Sequence, residues 1–169
     1  AFIQKLANNK NIVFDLNVAR SEKETGYLNI ALANFIKSFG NLKNAPENVL
    51  NAYFHHCSIA MTCTELAHAG IFLANKGKLP WNNEKIVAPN QAKYIKSLML
   101  TCGTYDSVGD FAYRVGLPGK SGVRGGILAV MPGKFSVCVW SPGLNETGNS
   151  LAGTKALELF TTLTGISVF

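Results

Sequence analysis

Apolar residues in the first two thirds of the chain recur at three- and four-residue spacing, which is typical of amphipathic helices. One helix is predicted up to Gly40-Asn41, a second after Pro46 and a fourth after Pro89, because proline suits the first turn. Thr62-x-x-Glu65 resembles a capping box and predicts a third helix, which Lys76-Gly77 would end. The apolar sets are Leu28, Ala31, Leu32, Phe35, Ile36 and Phe39 in the first helix, Val49, Leu50, Tyr53, Phe54 and Cys57 in the second, and Ala92, Ile95, Leu98 and Met99 in the fourth.

The pattern changes in the last third of the chain. A short helix is predicted within residues 105–116, followed by β-prone runs at 127–131 and 135–141 that Pro132-Gly133-Lys134 joins as a hairpin. Helical spacing returns at 149–164. Helices followed by strands predict an α+β architecture in which helices pack against a sheet. Because two strands rarely form an independent sheet, we expect their partners to come from chain ahead of Ala1.

Length and composition fit one structural unit with a real core, since the chain has 169 residues and is 47% hydrophobic. The net charge of +6 comes from 16 Lys and Arg against 10 Asp and Glu. The lysines are spaced singly and form no stripe, which argues against nucleic acid as a partner. No apolar run reaches the roughly 20 residues of a membrane span, and residues 1–10 do not resemble a secretion signal. We therefore predict a cytoplasmic protein without a membrane partner.

Cysteine and histidine spacing indicates no redox or metal chemistry. Cys57, Cys63, Cys102 and Cys138 include no C-x-x-C pair and have apolar neighbours, which predicts reduced thiols in the core. His55, His56 and His68 match no zinc-ligand spacing. We predict neither a metal nor a cofactor.

The glycine-rich run at 116–126 is the most informative stretch. Gly119-Lys120-Ser121 matches the end of a phosphate-binding loop, but Arg114 stands where that motif needs its first glycine, and the run leads into a strand. A Lys-Ser-Gly triplet at a strand edge is instead a signature of the penicillin-recognising serine hydrolases, which use a Ser-x-x-Lys nucleophile.

A longer pattern around this triplet, Leu117-Pro118-x-Lys120-Ser121-Gly122-Val123-x-Gly125-Gly126-Ile127-Leu128, resembles the serine-dependent glutaminases of that superfamily. Other stretches agree with this family in order: Ser21-Glu22-x-x-Thr25-Gly26-x-x-Asn29-x-Ala31, Tyr53-Phe54-x-x-Cys57-Ser58-Ile59, Cys102-Gly103-x-Tyr105-Asp106 and Ser141-Pro142-x-Leu144-Asn145-x-x-Gly148-Asn149-Ser150. The resemblance implies a β-lactamase/transpeptidase-like α+β fold. Residues 1–169 would be the C-terminal portion of a single glutaminase domain, with mostly helices, a hairpin and a terminal helix.

The resemblance also implies an activity, the hydrolysis of L-glutamine to L-glutamate and ammonia through a serine acyl-enzyme. Glu22 would bind the α-ammonium group of the substrate, and Asn29 and Tyr53 would hydrogen-bond near its α-carboxylate and amide. Tyr105 would relay a proton beside the nucleophile, and the backbone N–H of Val123 would serve the oxyanion hole. Tyr105 and Val123 are thus the predicted catalytic groups, and all five residues are predicted to bind substrate.

Three of these residues also have a structural interpretation. Glu22 could stabilise a helix dipole at a helix start, Asn29 could lie on a solvated face, and Tyr53 could be a core aromatic residue with a hydrated hydroxyl. The ordered set of motifs favours the functional interpretation.

The chain departs from the family pattern at the nucleophile, because no lysine has a serine three residues before it. The family's Asn-Ala-Gly-Ala stretch is missing as well. We therefore expect both elements ahead of Ala1, and no glutamine hydrolysis by the isolated 169 residues. Apolar surface that the missing segment would cover should be exposed, and we expect a homo-oligomer.

Two alternatives remain open from the sequence. A penicillin-binding or β-lactamase-like hydrolase would share Lys120-Ser121-Gly122. A non-catalytic amino-acid-binding or assembly module would keep the pocket without the nucleophile.

Overall fold

The computed structural model describes residues 2–169, in which the chain divides into two units. The helical unit is Asn11–Met61, and the sheet unit combines residues 2–10 with Thr62–Phe169. The helices of the helical unit are α2 (Leu16–Thr25), α3 (Tyr27–Ser38) and α4 (Pro46–Cys57). Those of the sheet unit are α1 (Phe2–Leu6), α5 (Cys63–Ala74), α6 (Pro89–Cys102), α7 (Val108–Val115) and α8 (Leu151–Thr164), with a 3₁₀ turn at Tyr105–Ser107.

The sheet unit is built on three antiparallel strands in the order β1-β2-β3. They are β1 (Gly119–Ser121), β2 (Gly126–Met131) and β3 (Phe135–Trp140). The β2–β3 hairpin is as predicted, and Gly133 takes a positive φ of 75° in its turn. The expectation that the partner strands lie outside the chain is wrong for one edge, because Lys120 of β1 pairs with Leu128 of β2. The short β1 lacks the alternating apolar pattern by which a strand is recognised.

Helices cover both faces of this sheet because successive strand residues point to opposite sides. Ile127 and Ala129 of β2 pack with Phe111 of α7 and Leu157 of α8. Val130, on the opposite face, packs with residues of α5 and α6. This arrangement of helices on a small sheet confirms the predicted α+β class.

In the helical unit, α4 packs against both α2 and α3. Asp15 begins α2 as its N-cap, accepting hydrogen bonds at Oδ1 from the N–H groups of Asn17 and Val18 at 2.9 and 3.1 Å. The N–H of Asp15 donates to the carbonyl of Ser58 at 2.7 Å, which ties the start of α2 to the end of α4.

The predicted helices agree with the structure at α3 to α8, including the Thr62–Glu65 capping box of α5. Neither α1 nor α2 is predicted from the sequence, because α1 has five residues and α2 is mostly polar. The apolar set assigned to α3 is exposed, from Leu28 to Phe39, and only Ala33 of that helix is buried. No helix within residues 2–169 is both long and apolar enough to cross a membrane.

The expectation of core cysteines is wrong in its placement. Cys57, Cys63 and Cys102 are free thiols at the surface, and Cys138 is partly buried. Val137 and Val139, the apolar neighbours of Cys138, pack on the opposite face of β3, so their burial does not extend to the thiol.

Candidate active site

The edge strand β1 and the turn after it carry the glycine-rich signature. Gly122 donates to the carbonyl of Gly126 at 2.9 Å, and Gly125 donates to the carbonyl of Gly122 at 2.9 Å. These bonds close the turn without using the N–H of Val123. Val123 is 61% exposed, so its side chain contributes little to the core. Any role of this residue in the site therefore depends on its backbone N–H.

Glycine is needed in this turn for space as well as for angle. Gly125 has a φ of 88°, and an added Cβ there would lie 1.9 Å from the carbonyl oxygen of Ser141. The indole Nε1 of Trp140 donates to the carbonyl of Arg124 at 2.8 Å and fixes the turn from its other side. The turn is therefore pinned to the end of β3.

Tyr105 is brought to the same edge strand. Its hydroxyl donates to the carbonyl of Ser121 at 3.4 Å, and Nζ of Lys120 lies 5.0 Å from the centroid of its ring. Lys120 also donates to the carbonyl of Ser121. The structure thus places Tyr105, Lys120 and Ser121 together, with Val123 two residues further along the chain.

The backbone of Tyr105 has a φ of 51°, in the left-handed region that bulky residues rarely adopt. Such a conformation costs about 1–3 kcal/mol and persists only where the surroundings hold it, which is common at functional sites. The strain supports a functional interpretation of Tyr105, since a surface aromatic residue needs no such conformation.

Asn149 and Gly103 hold the backbone beside Tyr105, and the sequence analysis assigned a role to neither residue. Asn149 is 2% exposed, and its Nδ2 donates to the carbonyl of Thr104 at 3.1 Å. The carbonyl of Gly103 accepts from the N–H of Ser121 at 2.8 Å, and an added Cβ on Gly103 would lie 1.8 Å from the carbonyl oxygen of Gly119. The glycine after α6 and the Gly-Asn-Ser stretch near 148–150 were the available signals, but a side chain that acts on a distant backbone carbonyl leaves no local pattern.

Electrostatics at this edge centre on Lys120. Its partial burial lowers the pKa of the ammonium group from the ordinary value. A lowered pKa makes it easier for the lysine to lose its proton. Such a lysine is suited to exchanging protons with the neighbouring phenol of Tyr105. The arrangement can therefore supply a proton relay together with a backbone donor.

The other three predicted residues lie in the helical unit. Glu22 is in the second half of α2, Asn29 is in the first turn of α3, and Tyr53 is on α4. Gly26 joins α2 to α3, and an added Cβ on it would lie 2.7 Å from Cζ of Phe54. Glu22 and Asn29 therefore lie within four residues of Gly26 in sequence, and Tyr53 lies next to Phe54, the residue that Gly26 contacts.

The positions of these residues change the weight of their structural interpretations. A carboxylate in the second half of a helix gains nothing from the helix dipole, so that explanation of Glu22 is wrong. Tyr53 is 45% exposed and is therefore not a core aromatic residue. It lines a pocket of about 400 Å³ together with Asn44, Asn48 and His56. Asn29 is half-buried.

A larger pocket of about 690 Å³, in the sheet unit, is lined by Lys5, Lys10 and Trp81 among others and includes none of the predicted site residues.

Within residues 2–169, no three His, Cys, Asp or Glu side chains gather as metal ligands do.

The glutaminase family model matches residues 1–169. The chain belongs to the glutaminase family. It is 61% identical over 168 residues to a glutaminase of Rhizobium meliloti and 56% identical to one of Agrobacterium fabrum, covering 99% of this chain and 53% and 54% of those proteins. The chain therefore spans about half the length of the curated relatives it matches.

A solved structure gives the same assignment. The covalent complex between a Bacillus subtilis glutaminase and 5-oxo-L-norleucine, formed by reaction with 6-diazo-5-oxo-L-norleucine, superimposes with a TM-score of 0.94 at 34% identity. The match covers 99% of this chain and 60% of that chain. The predicted family and its fold are confirmed, while the roles of the individual residues stay predictions.

Proposed function

We propose that the intact protein hydrolyses the side-chain amide of L-glutamine to give L-glutamate and ammonia, through an ester with a serine outside the 169 residues of this sequence. The observation that carries the proposal is the 61% identity over 168 residues to a protein named glutaminase. The covalent adduct of the Bacillus subtilis glutaminase with 6-diazo-5-oxo-L-norleucine supports a nucleophilic mechanism, because that reagent alkylates a nucleophile.

In this proposal, the sheet unit stabilises the reacting carbonyl. The N–H of Val123 donates to the carbonyl oxygen as it becomes negative, and the glycine turn holds that N–H in place before the reaction begins. The phenol of Tyr105, beside the Lys120 ammonium group, passes the proton that the nucleophile loses and the departing ammonia gains. The strained backbone of Tyr105 and the bonds from Ser121 and Asn149 support this role, because they fix where the phenol stands.

The helical unit contributes recognition of the amino-acid end of glutamine. The carboxylate of Glu22 pairs with the α-ammonium group, a charge-assisted contact about twice as strong as a neutral hydrogen bond. Asn29 and Tyr53 donate neutral hydrogen bonds to the α-carboxylate and amide. A short substrate needs such a clamp because its binding energy must come from few atoms.

The experiment measures glutamate release by the intact protein from L-glutamine, with L-asparagine and a penicillin as comparison substrates. We expect turnover of glutamine and covalent labelling by 6-diazo-5-oxo-L-norleucine. Acylation by the penicillin without glutamine turnover would support a β-lactamase-like hydrolase instead. Binding of glutamine without glutamate release would identify a non-catalytic module.

Glu22→Gln tests the substrate clamp, with Glu24→Gln, an exposed carboxylate of the same helix, as matched control. Removing a charged hydrogen bond worth about 1.5–3 kcal/mol should lower kcat/KM about 10- to 150-fold, mainly through KM, while Glu24→Gln keeps the parent value. Equal kcat/KM in both variants would remove Glu22 from the substrate site.

A further inference from the structure

Cys63 and Cys138 lie opposite each other where α5 packs on β3. Cys63 is the first residue of α5, and Cys138 lies in the second half of β3. Cα atoms of this helix and this strand approach within 8 Å of each other. Neither cysteine belongs to the proposed active site.

Two hydrogen bonds set the alignment of α5 with β3. The N–H of Gly133, in the turn before β3, donates to the carbonyl of Ala74 at 2.9 Å. Oγ of Ser136 donates to the carbonyl of Ala67 at 2.6 Å. The strand therefore runs antiparallel to the helix, and later residues of β3 lie beside earlier residues of α5.

Extending this alignment brings the two thiols together. Cys63 is four residues before Ala67, a displacement of about 6 Å along a helix axis. Cys138 is two residues after Ser136, a displacement of about 6.6 Å along a strand, and it points to the same side. Val137 and Val139 point the other way, into the cluster that α7 and α8 share.

The helix is close enough to the sheet for these side chains to touch. The face of α5 toward the sheet carries small residues, and an added Cβ on Gly70 would lie 2.9 Å from Cδ1 of Leu128, the cross-strand partner of Cys138. Sγ of Cys138 donates to the carbonyl of Val139 at 3.7 Å. Burial, with a smaller contribution from the neighbouring Cys63, raises the pKa of the Cys138 thiol to about 12, so Cys138 is not the first of the two to attack. Cys63 is exposed and so accessible to reagents in solution.

We propose that Cys63 and Cys138 are a reactive thiol pair that closes to a disulfide by exchange with a small oxidised disulfide such as oxidised glutathione. The exposed Cys63 gives its proton to solvent and attacks one sulfur of the reagent, whose S–S bond breaks, and one glutathione leaves as a thiolate that takes up a proton. Cys138 then gives its proton to solvent and attacks the Cys63 sulfur, which releases the second glutathione. The protein loses two electrons and two protons, and the reagent is reduced to two thiols. Disulfides that occur in reducing compartments are usually transient, and a pair that opens and closes reversibly is of this kind.

The test treats the intact protein with oxidised glutathione, maps its tryptic peptides under non-reducing conditions and sequences the linked peptides by fragmentation. Fragmentation is needed because Cys57 and Cys63 lie on the same tryptic peptide, residues 44–76. Lysines between the two cysteines, Lys134 among them, place them on separate peptides. We expect a mass loss of about 2 Da, one hydrogen from each thiol, and a peptide pair joined through Cys63 and Cys138. A reducing agent should restore both thiols to alkylation. Because this measurement uses the unaltered protein, it does not depend on how a variant folds.

Single substitutions then separate the two roles. Cys138→Ser should stop at a stable glutathione adduct on Cys63, and Cys63→Ser should leave position 138 unmodified. Cys102→Ser, which removes an exposed thiol on α6, should close as the parent does. A cross-link that includes another cysteine, a lasting adduct on Cys63 in the unaltered protein, or full alkylation of both thiols after treatment would overturn the proposal.

Discussion

The two units bury their apolar residues to different degrees although both show helical spacing. In the sheet unit, Leu117, Ile127 and Leu157 are at most 1% exposed. In the helical unit, Leu28 and Phe39 of the clearest amphipathic pattern are 73% and 67% exposed. Periodicity therefore predicts that a helix forms and which face is apolar, but it does not predict what covers that face.

The largest expected effect comes from truncating one leucine in each unit. Leu157→Ala should lower the free energy of unfolding by about 2–5 kcal/mol, because it opens a cavity in the cluster between the sheet and α7. Leu28→Ala should change that free energy by about 0.5 kcal/mol or less, since an exposed side chain leaves no cavity. Chemical denaturation of the 169-residue chain followed by circular dichroism measures both. A loss above about 2 kcal/mol for Leu28→Ala would show that the α3 face is covered in solution.

Val123 is also exposed, but for a different reason from Leu28. Its proposed contribution is a backbone N–H, so Val123→Ala should keep kcat while Val123→Pro, which has no N–H, should lower kcat about 100- to 1000-fold. Glutamate release at saturating glutamine measures the effect, and circular dichroism spectra of both variants check the fold. If Val123→Ala falls as far as Val123→Pro, the side chain matters and the oxyanion assignment is wrong.

Much of the sheet unit followed from local signals. Proline at a helix start, the Thr62–Glu65 box and glycine at helix ends act within one or two turns of chain, so the bounds of α5 to α8 were predictable. The strand β1 was not, because three residues of Gly-Lys-Ser have no alternation and become a strand only by pairing with β2.

The candidate site divides in the same way. Tyr105 and Val123 were found through motifs, and the structure adds a strained φ and a turn that are properties of the backbone. Asn149 received no role because its partner, the Thr104 carbonyl, is 45 residues away in sequence. Contacts of this kind depend on tertiary packing, which single-residue patterns do not encode.

The smallest effect in this comparison concerns two glycines, one in each unit. Gly26 has a negative φ, yet an added Cβ would lie 2.6 Å from the carbonyl oxygen of Glu22 and 2.7 Å from the Phe54 ring. Around Gly109 of α7 no heavy atom lies within 4 Å of such a Cβ among the residues described. Gly26→Ala should therefore destabilise the protein by about 1–3 kcal/mol through overpacking.

Gly109→Ala is the matched control and should be neutral or stabilising by up to about 1 kcal/mol, because alanine favours the helix. Thermal and chemical denaturation of the intact protein compare the two variants. If Gly26→Ala is as stable as Gly109→Ala, the helical unit accommodates a methyl group where α2 meets α3. That result would mean that the interior of the helical unit is loosely packed. Glu22 and Asn29 would then be held less firmly than the groups around Tyr105.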